Sequence, residues 1–377
     1  MSIERHYFPG NNTPLGFFSY YKYIIGQREA NKIVCVKGGP GTGKSTFMKK
    51  IGDSFLQKGE DVDFLHCSAD ENSLDGILLR NKKIAVIDGT SPHIIDPVTP
   101  GAVDKILNLG EFWNEEGIAA NKDEIIDLNE KCTRWYRISY NYLNAAKSVY
   151  RSLQEVYNRA IEYSEIYRVV ADVVHREFER YQISMRPGKE KKFFASAITG
   201  SGCVNYIPSL LSGLERIYII SAPSGYLNDS FMNIVREGAI YRGFEVESFY
   251  CPMCPEDKLE HIIIPDLKIG FLTVNDYHDI EPWEILYDEF NNETDKQDII
   301  LLDVSDYMDG LTIVENKGLI ETLEEEFDIL LNKAIQGLAN AREAHMRVEN
   351  MYIPNMNFTR INAKFDEILH ELTGSET

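Results

Sequence analysis

Residues 31–67 and 215–251 of this chain are two spellings of one segment. At a shift of 184, Ile33, Gly41, Phe47, Met48, Gly59, Val62 and Cys67 fall on Ile217, Gly225, Phe231, Met232, Gly243, Val246 and Cys251. Chance gives about two identities over such a stretch. Charges match in kind too: Lys58 with Arg242, Asp61 with Glu245, Asp63 with Glu247. The flanks follow, YFPGNNTPLGFFSY from Tyr7 resembling FFASAITGSGCVNY from Phe193, and NKDEIIDLNE from Asn121 resembling NKGLIETLEE from Asn316. A repeat of this kind is one folding unit written twice. Two related domains are therefore predicted, 1–190 and 191–377, joined near Pro187-Gly188.

Each copy carries the same coarse plan. An apolar strand (Ile33 to Val36; Ile217 to Ile220) leads through a loop into a helix ending near Gly59 or Gly243. A second strand follows (Val62 to His66; Val246 to Tyr250), then a third (Ile84 to Ile87; Ile269 to Leu272). Strands alternating with helices predict an α/β fold with a parallel sheet covered on both faces, three layers in each domain. From Ile118 to Arg186 there is neither glycine nor proline, and Ile125, Leu128, Trp135, Ile138, Tyr142, Ala145 and Val149 keep a helical spacing. The second copy breaks at Pro354, so a long antiparallel helical hairpin is expected on each domain. The hairpins would span about 118–183 and 316–373, the first turning back near Asn158. Their many tyrosines read as packing rather than as a base-stacking platform.

The loop of the first copy, GGPGTGKS from Gly38 to Ser45, satisfies G-x-x-x-x-G-K-[ST] between an apolar strand and an amphipathic helix. Glycines let the backbone N–H groups turn inward onto an anion, and the helix points its positive end the same way. Lys44 supplies a mobile cation for the β- and γ-phosphates, and the Ser45 hydroxyl suits Mg²⁺. The nucleotide-binding set is read as Gly38, Gly39, Pro40, Gly41, Thr42, Gly43, Lys44, Ser45 and Thr46. Asp88, closing the strand Ile84 to Ile87, is the second expected Mg²⁺ ligand. Gly89 follows it, so no glutamate stands there to orient water; His93, Asp70 and Asp75 are the candidates for that task. The catalytic set is thus Lys44, Asp88 and His93.

The second copy has lost this chemistry. Gly38, Gly43, Lys44 and Ser45 become Ala222, Leu227, Asn228 and Asp229, and Thr273 stands in place of Asp88. Losing a cation and gaining a carboxylate both oppose phosphate binding, so this loop is expected to survive as architecture. Asp303, after Ile-Ile-Leu-Leu, reads as a strand or helix end.

HYFPGNNTPLGFFSYYKYI, KGGPGTGKST, HCSADENSLDG and VIDGTSPH together resemble the P-loop NTPase superfamily. The wider pattern, over most of the chain, is similar to tandem P-loop proteins of bacteria described as ATPases or nucleotide-kinase-like. The resemblance implies two P-loop domains, the second with a degenerate loop, and binding of ATP with Mg²⁺; it implies no settled reaction.

A formal charge of −20 disfavours nucleic acid and anionic membrane surfaces as partners. Six scattered cysteines and the lack of an apolar leader or membrane-length run suggest a cytoplasmic chain without a disulfide framework. Cys251-Pro252-Met253-Cys254 lacks the second ligand pair that structural zinc requires. The absence of N-K-x-D favours ATP over GTP. Three functions fit: a slow ATPase acting as a conformational switch, a small-molecule or nucleotide kinase using the hairpin as a lid, and a non-hydrolysing nucleotide sensor or scaffold. The expected partners are the nucleotide, a contact between the two repeats, and an unidentified protein.

Overall fold

The structure is a computed structural model that describes residues 2–90, 95–224, 226, 229–278 and 298–374. It is α/β, with two six-stranded mixed sheets, each mostly parallel, and eight α-helices among the described residues.

The first sheet is drawn from β1 (Glu4–Tyr7), β4 (Lys32–Lys37), β5 (Val62–His66), β6 (Leu74–Leu79), β7 (Ile84–Asp88) and β8 (Asp104–Asn108), in the order β1-β5-β6-β7-β4-β8. Between its first two strands in sequence lies the small hairpin β2 (Gly10–Thr13) with β3 (Gly16–Ser19), and α1 (Lys44–Leu56) follows β4. The second sheet uses β9 (Glu190–Phe193), β12 (Arg216–Ser221), β13 (Val246–Tyr250), β14 (Leu259–Ile264), β15 (Ile269–Val274) and β16 (Asp298–Asp303). Read from β9, its order is β9-β13-β14-β15-β12-β16, the first order over again. The hairpin β10 (Ser196–Thr199) with β11 (Gly202–Asn205) matches β2 with β3.

The sheets are not wholly parallel, as the sequence pattern had suggested. β6 and β14 run against both neighbours. The chain between β5 and β6 spans only residues 67–73, too short for the crossover of about a dozen residues that a parallel return needs. Nor are helices laid on both faces of each sheet. Phe47, Met48, Ile51 and Phe55 of α1 cover one face of the first sheet. The opposite face (Ile33, Cys35, Leu65, Ile87) is turned toward its counterpart in the second sheet (Ile217, Ile219, Phe249, Leu272), with aromatic residues and the short helix α5 (Ile207–Leu210) filling the space between. The layers therefore run helix, sheet, sheet, helix.

Arg5 is sealed in this middle layer. Its guanidinium donates to Asp63 on β5 (2.9 and 3.1 Å) and to Glu247 on β13 (2.6 and 3.0 Å), bridging the sheets. Beside it the backbones of Phe8 and Phe194 exchange two hydrogen bonds, the only direct pairing between equivalent positions of the halves among the described residues.

The expected hairpins open out instead. After the short α2 (Glu115–Ala119), α3 (Lys122–Ala160) runs unbroken and ends two residues beyond Asn158, but α4 (Tyr163–Phe178) does not fold back onto it. Past α6 (Asp229–Ile240), the second half has its own long helix, α7 (Gly310–Tyr352), and a final α8 (Phe358–Thr373). α3 lies antiparallel along α7: Arg347 pairs with Glu124, Gly337 meets Ser139, and Tyr157 bonds Glu324. The buried seam of α3 is Ser139, Leu143, Ala146, Tyr150, Leu153 and Tyr157, the alternating three-and-four spacing of a coiled coil. This seam sits one residue from the Ile138–Tyr142–Ala145–Val149 face read from the sequence. A Cβ on Gly337 would come 2.2 Å from Ser139 Oγ, so the two backbones approach where only small residues fit.

The shorter helices are exchanged. Ile166, Val170, Val173 and Phe178 of α4 pack with Phe231 and Val235 of α6 on the second sheet. Ile368 and Leu372 of α8 pack with α1 on the first. The strands of the first sheet come from 4–108 and those of the second from 190–303, but each sheet borrows one covering helix from the other half.

Candidate functional site

β4 is buried from Ile33 to Val36 and delivers the glycine-rich loop to the sheet's C-terminal edge. Gly41 (φ 65°) and Gly43 (φ 84°) occupy the left-handed region, which lets the chain curl back before α1 starts at Lys44. Thr42 Oγ1 ties the curl by donating to the Gly39 carbonyl at 2.8 Å. Lys44 Nζ donates to the carbonyls of Gly38 (3.0 Å) and Gly39 (2.9 Å) and lies 3.6 Å from Asp88 Oδ2.

Asp88 is placed by its strand: β7 pairs directly with β4, and Asp88 stands opposite Val36 at the same edge. It is buried, and its Oδ1 accepts the amide (2.8 Å) and hydroxyl (2.5 Å) of Thr90, which aims the other oxygen at Lys44. Ser45 Oγ accepts the Leu74 amide at 2.9 Å, linking the start of α1 to β6. Lys44, Ser45 and Asp88 are thus gathered where α1 begins. Lys37 holds the chain beyond Asp88, donating to the carbonyls of Gly89 (2.5 Å) and Ile95 (3.0 Å). His93 lies outside the described residues.

The other two water-positioning candidates are already engaged. Asp75 accepts the buried Tyr21 hydroxyl at 2.5 Å, on the sheet-to-sheet side rather than beside α1. Asp70 is held by Arg342 Nη2 at 2.5 Å and by Ser73 Oγ at 3.0 Å.

Arg342 belongs to the second half, and it is not alone. The C-terminal part of α7 and the elbow into α8 run along the loop. Cβ atoms on Gly39 and Gly41 would lie 2.9 Å from Tyr352 and Ile353, and one on Gly43 would lie 3.6 Å from Phe358. The elbow is pinned by the first half, with Asn114 N–H donating to the Asn355 carbonyl and Asn357 N–H to that of Phe112, both at 2.8 Å. Glu371 of α8 pairs with Lys32 and Lys105 on β4 and β8. One turn from Arg342, His345 is held below the ordinary histidine value by burial, opposed by Glu349 and reinforced by the charge of Lys44. None of these residues was singled out from the sequence. The amphipathic spacing Ile361, Phe365, Ile368, Leu372 announces that α8 needs a partner, but spacing does not say which sheet provides it.

The same edge of the second sheet is built differently. Gly225, Leu227 and Asn228 of its loop lie outside the described residues; Ser224 Oγ donates to Asp276 at 3.1 Å. Next to it is a buried polar network around a cavity of about 50 Å³. Lys258 Nζ donates to Tyr150 (2.7 Å) and pairs with Glu260 (3.1 Å), while His278 Nε2 meets Ser196 Oγ at 2.7 Å. Atoms of Glu260, His261 and His278 lie within 4.8 Å of one another, close enough to suggest a metal cradle. Two features argue otherwise. Lys258 already neutralises Glu260, and the Thr273 amide donates to His261 Nδ1 at 3.2 Å, which leaves the ring proton on the nitrogen that would have to bind metal. Burial opposes ionisation of Glu260, but His278 and Lys258 hold it down at about 2; burial pushes His261 down to about 3. Cys251 and Cys254 are buried free thiols whose pKa burial pushes up, which keeps them protonated. Asp303 caps the turn after β16, accepting the Ser305 amide at 2.9 Å, as Asn108 does for Gly110 after β8.

No family model, curated protein or solved structure matches the chain. Among the described residues, no helix is long and apolar enough to cross a membrane.

Proposed function

We propose that the chain binds one Mg²⁺-nucleoside triphosphate, with ATP favoured, at Gly38–Thr46, and turns it over slowly as a conformational switch. The observation that carries this reading is the constellation at the sheet edge: a loop curled by Gly41 and Gly43 into the start of α1, with Lys44 Nζ 3.6 Å from the Asp88 carboxylate on the adjacent strand. The donor set fits the ligand. Lys44 spends its hydrogen bonds on loop carbonyls that phosphate oxygens would replace. Ser45 and Asp88 offer the hard oxygens that Mg²⁺ takes, and the metal would supply charge neutralisation to the β- and γ-phosphates.

The shared strand order of the two sheets supports descent from one duplicated P-loop unit, with Asn228 and Asp229 marking the second loop as degenerate. The switch reading is favoured over the kinase reading by the helix exchange. The residues nearest the loop glycines, Tyr352, Ile353 and Phe358, come from α7, the elbow and α8, with Trp113 of the first half beside Tyr352, and α7 and α8 also brace α3 and the first sheet. A ligand at the loop is thereby placed to shift one half against the other.

Calorimetric titration of the full chain with Mg²⁺-ATP tests binding. One site per chain is expected, lost in Lys44→Ala and made Mg²⁺-independent and weaker in Asp88→Asn. Equal heats in the parent and Lys44→Ala would end this reading. Phosphate release without a phosphorylated acceptor separates switch from kinase.

A further inference from the structure

Beside the loop, between α1 and α8, lies a cavity of about 210 Å³. Gly43, Thr46 and Lys50 line one wall, and Phe358, Asn362 and Phe365 the other. We propose that this cavity receives the purine base of the nucleotide whose phosphates the loop holds, with Phe358 as its stacking face; the proposal rests on the nucleotide reading above.

Size, place and chemistry converge on that occupant. At about 30 Å³ per water the space equals roughly seven waters, below the roughly 300 Å³ at which pockets for whole ligands begin. It therefore suits a planar base, not a complete nucleotide. Gly43 and Thr46 line it, and both belong to the stretch Gly38–Thr46 that would hold the phosphates, so the rest of such a ligand is already accounted for.

The wall is aromatic and firm on one side: Phe365 stands edge-on to Phe47 at 5.6 Å, anchored in the first half's core. Phe358 is 41% exposed, a large ring at the mouth whose Cε1 comes 3.6 Å from a Cβ position on Gly43. Stacking accepts any base but gains with ring area, which favours purines. Lys50 donates to Asn362 Oδ1 at 3.3 Å, so a base edge would meet an amide and an ammonium side by side. Amides pair with adenine and cations with guanine, so both purines are admitted. Because α8 is lent by the second half, the base would touch both halves while the phosphates touch chiefly the first.

Titration of the full chain with Mg²⁺ and ATP, GTP, UTP or inorganic tripolyphosphate tests this. Phe358→Ala is expected to weaken ATP and GTP roughly ten- to a hundred-fold, the range of one lost base–aromatic stack, and to leave tripolyphosphate unchanged. Phe358→Trp should restore purine binding, and the parent should bind UTP more weakly than either purine nucleotide. Unchanged ATP affinity in Phe358→Ala, or equal losses for ATP and tripolyphosphate, overturns the proposal. Binding of neither ATP nor tripolyphosphate to the parent overturns the nucleotide reading itself, and this assignment with it. Phe358 is half in solvent, so thermal melting of the alanine variant should match the parent and exclude misfolding as the cause.

Discussion

Replacing Arg5 by methionine removes the buried guanidinium that joins the two sheets through Asp63 and Glu247. Both carboxylates would stay buried, with Arg80 as the remaining cation, 3.4 Å from Asp63 and 3.7 Å from Glu247 and partly open to water. Breaking a buried pair by removing one partner costs about 3–5 kcal/mol. Two orphaned carboxylates push toward the upper end and Arg80 toward the lower, so about 4 kcal/mol is expected.

The pH dependence carries a sign. Burial, the largest influence, raises Asp63 and Glu247, but the charges of Arg5 and Arg80 and the hydrogen bonds from Arg5 together outweigh it and hold both below their ordinary values. Their contribution is therefore fully present above the unfolded carboxyl values near pH 4 and is lost as pH falls through the folded ones. In Arg5→Met the carboxyls rise, so the gap between variant and parent is widest at neutral pH and narrows below about pH 4. Urea denaturation of both proteins at several pH values measures it. A variant as stable as the parent at pH 7, or a gap that does not change with pH, would refute the argument. The triple replacement Arg5→Met, Asp63→Leu, Glu247→Leu should recover most of the loss, because an apolar layer of similar volume has no charge to desolvate.

Three other outcomes follow from the packing and the site. Ile368→Ala, at a fully buried position of α8, should destabilise by about 2–5 kcal/mol and show its first loss of hydrogen-exchange protection in the first sheet, not in its own half. Gly337→Val should part α3 from α7 at Ser139 and cost about 1–3 kcal/mol in thermal or urea unfolding; an unchanged midpoint would mean the helices do not meet there. Arg342→Ala should lower the turnover of ATP at least about ten-fold with the ATP dissociation constant unchanged, as for a guanidinium acting on the transferring phosphate; unchanged turnover would leave Arg342 as a tether between Asp70 and Ser201.

Much of the first sheet was legible because its strands are short apolar runs punctuated by glycine. β4, β5 and β7 fall within a residue of the spans read from Ile33, Val62 and Ile84. β6 was not legible: Leu74–Leu79 follows a polar loop that reads as a motif, and only the brevity of the connection fixes its direction. The loop residues and Asp88 could be picked out because each is demanded by local chain geometry. Arg342, His345, Tyr352 and Phe358 could not, since their place depends on which sheet α8 covers. Periodicity reports that a face is apolar; it is silent about the partner. The expectation of hairpins erred for that reason: helices that are consecutive in sequence were assumed to be neighbours in space.

The exchange of helices also orders events during synthesis. Ile368 and Leu372 close the core around α1, yet they leave the ribosome after every strand of both sheets. The first sheet must therefore wait, one face open, until the second sheet has been made as well, although domains generally fold as units in order of emergence. The elbow over the glycine-rich loop arrives equally late. A polypeptide truncated before α8 would carry every residue of the motif and still lack the wall beside it, so the completed site reports that synthesis has passed both sheets and the helix that seals the first.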